Sequence, residues 1–264
     1  MKIKILYEDS NILAIDKPSG ISVHPDGRTK EKTLTDWVLE NYPRMKNVGE
    51  PMFAEHNGEK IEIKRPGVVH RLDRDTSGVM LLAKNQKSYE FLKTQFQNRE
   101  IKKTYNTVVN GWLKEERGVI NKPIGRSPTD FRKYSASRGA RGEMREAITR
   151  YKVLKRFEVS ASQIFPRFTL KGSDTKKKSV KPTPHKFTYL EVFPKTGRTH
   201  QIRVHMKAID HPVVCDPLYN PQGPYPKEIK RMALHAVSIE FKDLKGKAIK
   251  IESPLPLIFR KVLK

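Results

Sequence analysis

The stretch VVHRLDRDTSG, residues 68–78, sets two carboxylates, Asp73 and Asp75, among His70, Arg71 and Arg74, and runs straight into VMLLA at residues 79–83. Charge packed between two apolar runs has two readings: a solvated turn, or a carboxylate held for chemistry. Asp75-Thr76-Ser77-Gly78 fits a turn, because Asp and Ser side chains bond nearby backbone and Gly accepts positive φ. Asp73 fits that reading less well. It follows the apolar Leu72, which implies that part of the loop is tucked inward. A carboxylate withdrawn from water needs a cationic partner to stay ionised.

A second cluster, TGRTHQIRVH at residues 196–205, is a turn feeding a helix, and a helix N-terminus is a natural place to meet an anion. Arg203 lies one position past the apolar Ile202, so its guanidinium can skirt the edge of the core. Taken alone, the segment equally describes an amphipathic helix with basic residues outward. Other chemistries lack their residues. The single cysteine, Cys215, leaves no disulfide and no Cys-rich metal site. His200 and His205 are five apart, not the four that catalytic zinc on a helix wants. No P-loop, G-x-G-x-x-G fingerprint or G-x-S-x-G elbow is present. No metal and no nucleotide cofactor is expected.

These side chains need elements to hold them. Ile12–Ile15 followed by DKPSG reads as a strand ending in a turn. Residues 33–42 read as a short helix with Leu34, Trp37 and Val38 on one face, and the polar segment 44–64 as a loop. Val79–Ala83 is continuously apolar and reads as a buried strand. Asn85 is placed to cap a helix through about Asn98, with Tyr89, Leu92 and Phe96 inward. Strands follow at 104–109, 147–159, 187–193 and 234–241. Between the first two, residues 118–145 are rich in Gly, Pro and Arg and read as loops and short strands carrying a basic surface. Thr199 is placed to cap a helix through about Ile209, with Ile202, Met206 and Ile209 as its apolar stripe. The segment KGSDTKKKSVKPTPHK, residues 171–186, reads as a hairpin tip or loop. Short strands joined by turns, with few helices, predict an α+β fold: a mixed, largely antiparallel sheet with flanking helices, in one domain over residues 1–264.

Charge narrows the partner. Fifty-three Lys and Arg against 29 Asp and Glu give the 264-residue chain a formal net charge of +24 and a pI near 10.0. Such an excess attracts polyanions, RNA or DNA first. No apolar run reaches the ~18 residues of a membrane span, and the N-terminus has no signal-peptide pattern. A cytoplasmic protein, monomeric by default, is expected.

Together, HRLDRDTSG at 70–78, KTY at 103–105 and GRTHQIRVHM at 197–206 resemble the RluA-type pseudouridine synthase family. ILAIDKPSGISVHP at 12–25, DPLY at 216–219 and LHA at 234–236 extend the resemblance, in family order, from about Tyr7 to Pro254. It implies the pseudouridine synthase fold, with an active-site cleft across the sheet. It also implies isomerisation of uridine in ribosomal or transfer RNA without metal or organic cofactor. By the same resemblance Asp73 matches the catalytic aspartate, Tyr105 the active-site tyrosine and Arg203 the basic partner of that aspartate. Arg71 matches the residue that enters the space left by the flipped nucleotide. Leu72 and Ile202 sit where apolar residues line the uracil pocket, and His70 falls among the substrate-binding residues. No role carries over to Asp75.

The chemistry suits these residue types. Pseudouridine formation breaks the N1–C1′ bond, turns the uracil and rejoins it through C5. A carboxylate can attack C1′ or take a sugar proton to form a glycal; both routes stay open. A hydrolytic glycosidase normally wants two carboxylates, whereas an isomerase must keep the base, which suits one carboxylate in a dry pocket. Arg203 would hold Asp73 charged and aimed. Tyr105 would stack on the base, a phenol of pKa ~10 being a poor base. The target must leave its stack at a cost of roughly a few kcal/mol, which Arg71 would partly offset. Two rival readings remain: a catalytically silent RNA-binding or assembly protein on the same fold, and an N-glycosidase that releases free uracil. ILAIDKPSG arrives within a dozen residues of Met1, so the S4-type RNA-binding domain of several relatives is not expected. RNA selection would then fall to the loops at 118–145 and 171–186.

Overall fold

The apolar runs ILAI and VMLLA become adjacent antiparallel strands, Leu13 opposite Leu82 and Ile15 opposite Met80. Every residue of both runs is at most 2% exposed, as continuous rather than alternating hydrophobicity requires. The computed structural model describes residues 1–25, 31–56, 59–165 and 183–263. In chain order, the elements up to Thr104 are β1 (Lys4–Glu8), β2 (Ile12–Lys17), α1 (Leu34–Asn41), β3 (Met52–His56), β4 (Glu59–Ile63), β5 (Ser77–Ala83), α2 (Gln86–Gln97) and the start of β6 (Lys102–Asn110). There follow β7 (Arg117–Asn121), β8 (Ile124–Arg126), β9 (Tyr134–Ser135), β10 (Arg141–Arg145), β11 (Ile148–Val159), β12 (His185–Pro194), α3 (Gln201–Ala208), β13 (Leu234–Lys242), β14 (Ala248–Glu252) and α4 (Leu257–Leu263). The chain divides into two compact units, Met1–Thr104 with His235–Pro254, and Tyr105–Leu234 with Leu255–Lys264.

In the first unit the strands run β1-β2-β5-β13, with β14 on β13. All these pairs are antiparallel except β5–β13, where Ser77 faces His235 and Gly78 faces Ala236 in parallel. Both helices start where side-chain chemistry tells them to. Thr33 caps α1 in a reciprocal box with Asp36. Asn85 caps α2, its side chain accepting the Ser88 N–H at 2.9 Å, an arrangement worth about 1 kcal/mol. Residues 44–64 depart from the loop expected there: Met52–His56 and Glu59–Ile63 pair as an antiparallel hairpin. Gly49, Pro51 and the surrounding charges conceal it, and Phe53 on its first strand is 55% exposed.

The second unit carries β6-β12-β11-β7, antiparallel throughout. Alternation along the strands sorts side chains to two faces. Val109, Leu190 and Val192 join Ile202 and Met206 of α3, while Val108, Phe187 and Tyr189 join Phe259 of α4. A small sheet, β10-β8-β9, stands beside them in this unit, and Arg126, Arg138, Arg141 and Arg145 on and around it are exposed. Of the lysine-rich segment 171–186, residues 171–182 lie outside the described residues; His185 and Lys186 open β12. The α+β, mostly antiparallel architecture is thus the expected one.

Helix α3 corrects one expectation and decides between two open readings. Its cap is His200, in the left-handed region at φ 56°, and not Thr199. The turn is tied by Gln201, whose Oε1 accepts the Arg198 N–H at 3.0 Å and the Thr196 hydroxyl at 2.7 Å. Nor is the helix half-solvated: Gln201 through Met206 are all buried. The polar ones carry their own partners. His205 bonds the Thr149 hydroxyl at 2.8 Å and the Lys122 carbonyl at 2.9 Å, and Gln201 Nε2 donates to the Ile148 carbonyl at 3.0 Å.

Candidate active site

The loop from Arg71 to Thr76 is fixed from several sides. Lys17, with 0% of its surface exposed, donates from Nζ to the carbonyls of Pro18 and Ile21 at 2.8 Å and of Arg74 at 3.0 Å. The Arg74 carbonyl also accepts the Gly20 N–H at 2.8 Å, and the Ser19 hydroxyl donates to the Asp75 carbonyl at 2.7 Å. The Thr76 N–H closes a turn on the Asp73 carbonyl at 3.1 Å. The KPSG turn therefore acts as a clamp on the backbone immediately after Asp73. Gly78 completes the arrangement: at φ +116° a Cβ would lie 2.2 Å from the Ala236 carbonyl oxygen, so β5 reaches β13 only with glycine there.

Along this loop burial alternates with purpose. Leu72 is 3% exposed and so does tuck inward; Asp73 and Asp75 are half-buried, while Arg71 and Arg74 are exposed. His70 stacks on Phe96, centroids 4.7 Å apart, and its Nε2 accepts the Leu81 N–H at 2.9 Å. Burial first, and the Lys103 charge second, push its pKa down to about 3. The ring is therefore neutral, with its proton on Nδ1. That geometry makes His70 a brace between the loop, β5 and α2. Burial also pushes the Lys103 amine down to about 8.

Tyr105, Ile202 and Arg203 belong to the second unit. Tyr105, opposite Val192 on β6, packs against the cluster that contains Ile202. Arg203 is 3% exposed and forms a two-pronged pair with Asp216, itself 0% exposed: Nε to Oδ2 at 2.7 Å and Nη2 to Oδ1 at 2.8 Å. Asp216 Oδ1 also accepts the N–H groups of Leu218 and Tyr219, and the guanidinium carbon lies 5.1 Å from the centre of the Tyr219 ring. Asp216 was visible in the sequence only as part of DPLY; nothing in its spacing gave it to Arg203. Lys17 was likewise part of a motif without a role. Among the described residues, no group of three or more His, Cys, Asp or Glu is placed to hold a metal ion.

A profile of the RNA pseudouridylate synthase family matches residues 11–208, a span that holds the Asp73 loop, Tyr105 and Arg203. The chain belongs to this family. The members of this family are RNA pseudouridine synthases, isomerases of uridine in RNA. It is 36% identical over 86% of its length to an uncharacterized RNA pseudouridine synthase of Aquifex aeolicus, of which it spans 59%. It is 32% identical over 97% of its length to the ribosomal large subunit pseudouridine synthase D of Pseudomonas aeruginosa, of which it spans 69%. The solved human RNA Pseudouridylate Synthase Domain Containing 1 shares the fold, with a TM-score of 0.68 at 23% identity over 97% of this chain and 84% of that one. Among the described residues, no helix is long and apolar enough to cross a membrane.

Proposed function

We propose that this chain isomerises selected uridines of structured RNA to pseudouridine, with Asp73 as the carboxylate that acts at the ribose and no metal or organic cofactor taking part. The observation that carries the reading is the clamp beside Asp73: in a chain of this family, the loop of the HRLDRDTSG motif is pinned at the two residues that follow Asp73 by Lys17, Ser19 and Gly20. A carboxylate whose backbone cannot drift is what an in-place attack or proton abstraction needs. Tyr105 is the platform for the turning base. Arg203, itself oriented by Asp216, is by the family resemblance the cation that partners the reacting carboxylate. Arg71 takes the place vacated by the everted nucleotide, and Leu72 and Ile202 are, by the family resemblance, the apolar residues offered to the uracil. His70 serves this site from behind, through its bond to Leu81.

The substrate class proposed is large-subunit ribosomal RNA, supported by the name of the Pseudomonas relative; transfer RNA is the second class. The exposed arginines of the β8–β10 sheet would meet phosphates, which adds affinity without sequence choice. The test is direct. Purified protein is added to unmodified cellular RNA, and new pseudouridines are mapped as primer stops at chemical adducts. New stops are expected with wild type and none with Asp73→Asn, which should keep its melting temperature and RNA affinity. Release of free uracil would mark a hydrolase, and RNA binding without stops a silent binding protein.

A further inference from the structure

We propose that His24 is a positioning residue for Arg71: a buried, neutral imidazole that aims the guanidinium without cancelling its charge. This rests on the assignment of Arg71 to the gap left by the everted nucleotide. His24 lies at the end of the segment ILAIDKPSGISVHP and is 6% exposed. Its Nδ1 is 2.9 Å from the Pro25 carbonyl oxygen. A carbonyl only accepts, so Nδ1 carries the hydrogen and Nε2 of the neutral ring is left as a lone pair. That lone pair faces Arg71, whose Nη1 donates to it across 2.9 Å. A guanidinium only donates, so the pair has one consistent protonation state, and the Pro25 carbonyl selects it.

The choice of acceptor matters physically. Arg71 is exposed, two residues before Asp73, and an unrestrained arginine spreads over many rotamers that insertion must then sacrifice. A carboxylate in the place of His24 would also narrow them, but it would form an ion pair that has to break before the guanidinium meets RNA. A neutral imidazole does the first without the second. The positive charge stays available to the nucleic acid while its direction is set beforehand.

Two substitutions separate positioning from simple support. His24→Phe keeps a buried ring and removes the acceptor; His24→Gln returns an acceptor near the place of Nε2. Both are compared with wild type in single-turnover isomerisation of the RNA in which the mapping experiment finds pseudouridine, alone and combined with Arg71→Ala. Expected is a loss of about tenfold to a hundredfold for His24→Phe, the size of one hydrogen bond to a charged group. Gln should restore most of the rate, and His24→Phe should add nothing once Arg71 is alanine. Full activity of His24→Phe beside an impaired Arg71→Ala overturns the inference and leaves the role of Arg71 standing. A His24→Phe loss that persists in the Arg71→Ala background, with a lowered melting temperature, reduces His24 to core packing. Full activity of Arg71→Ala removes Arg71 from eversion and its positioning residue with it. Long-range proton–nitrogen spectra of the free protein check the pair without RNA: Nε2 of His24 should read unprotonated, and a protonated Nε2 overturns the pair.

Discussion

A buried guanidinium must have acceptors, and Asp216 gives Arg203 two while its own Oδ1 takes two backbone N–H groups. Removing one partner of such a pair strands the other charge away from water, which costs about 3–5 kcal/mol. Asp216→Ala should therefore lower unfolding stability by that amount in urea titration; a loss under ~1 kcal/mol would show that Arg203 finds other support. Arg203→Lys keeps a charge but not the planar fork, and should lose turnover on the mapped RNA while RNA affinity holds. Equal losses in both would make Arg203 a binding residue. The two carboxylates of the loop should also part company. Asp75→Asn should keep most of the activity that Asp73→Asn abolishes, and an inactive Asp75 variant would transfer the reacting role to it.

Element by element, what held the loop was only partly written in the sequence. The strand at 79–83 and the helix capped by Asn85 were legible because their signals are local: an apolar run, a cap three residues from its donor. The paired strands at 52–56 and 59–63 were not, since Gly49, Pro51 and the charges around them read as a loop, and α3 left two readings open because its polar residues are buried by partners from β11 and beyond. The Lys17 clamp spans 57 residues to Arg74, a separation no periodicity encodes. The brace formed by His70 gives this region a pH signature. Its folded pKa of about 3 lies below the unfolded value near ~6.5. Above the higher value both states are neutral and nothing changes. Below it the unfolded chain takes up a proton that the folded one refuses, so stability falls by ~1.4 kcal/mol per pH unit until the folded ring titrates as well. Thermal melts should show His70→Gln less stable than wild type at neutral pH but losing less between about pH 6.5 and pH 4; parallel curves would assign the acid sensitivity elsewhere.

At the scale of the whole chain, a net charge of +24 makes RNA affinity a matter of ionic strength. Replacing exposed Arg138 and Arg141 by glutamine should weaken binding evenly across RNAs. It should also flatten the plot of log affinity against log salt by ~0.7–0.9 for each phosphate left unneutralised. An unchanged slope would place those arginines outside the RNA path. The family and its activity were readable early because three motifs keep their order over most of the chain; affinity and choice of uridine depend on surfaces whose charge alone carries no address. One lysine stands apart from the rest of that basic population. Because the Lys17 amine is sealed behind three carbonyls, an acylating reagent that decorates the outer lysines within minutes must wait for it. The lag before Lys17 is tagged, read peptide by peptide in a mass spectrometer, is thus a clock for how often the reacting loop lets go.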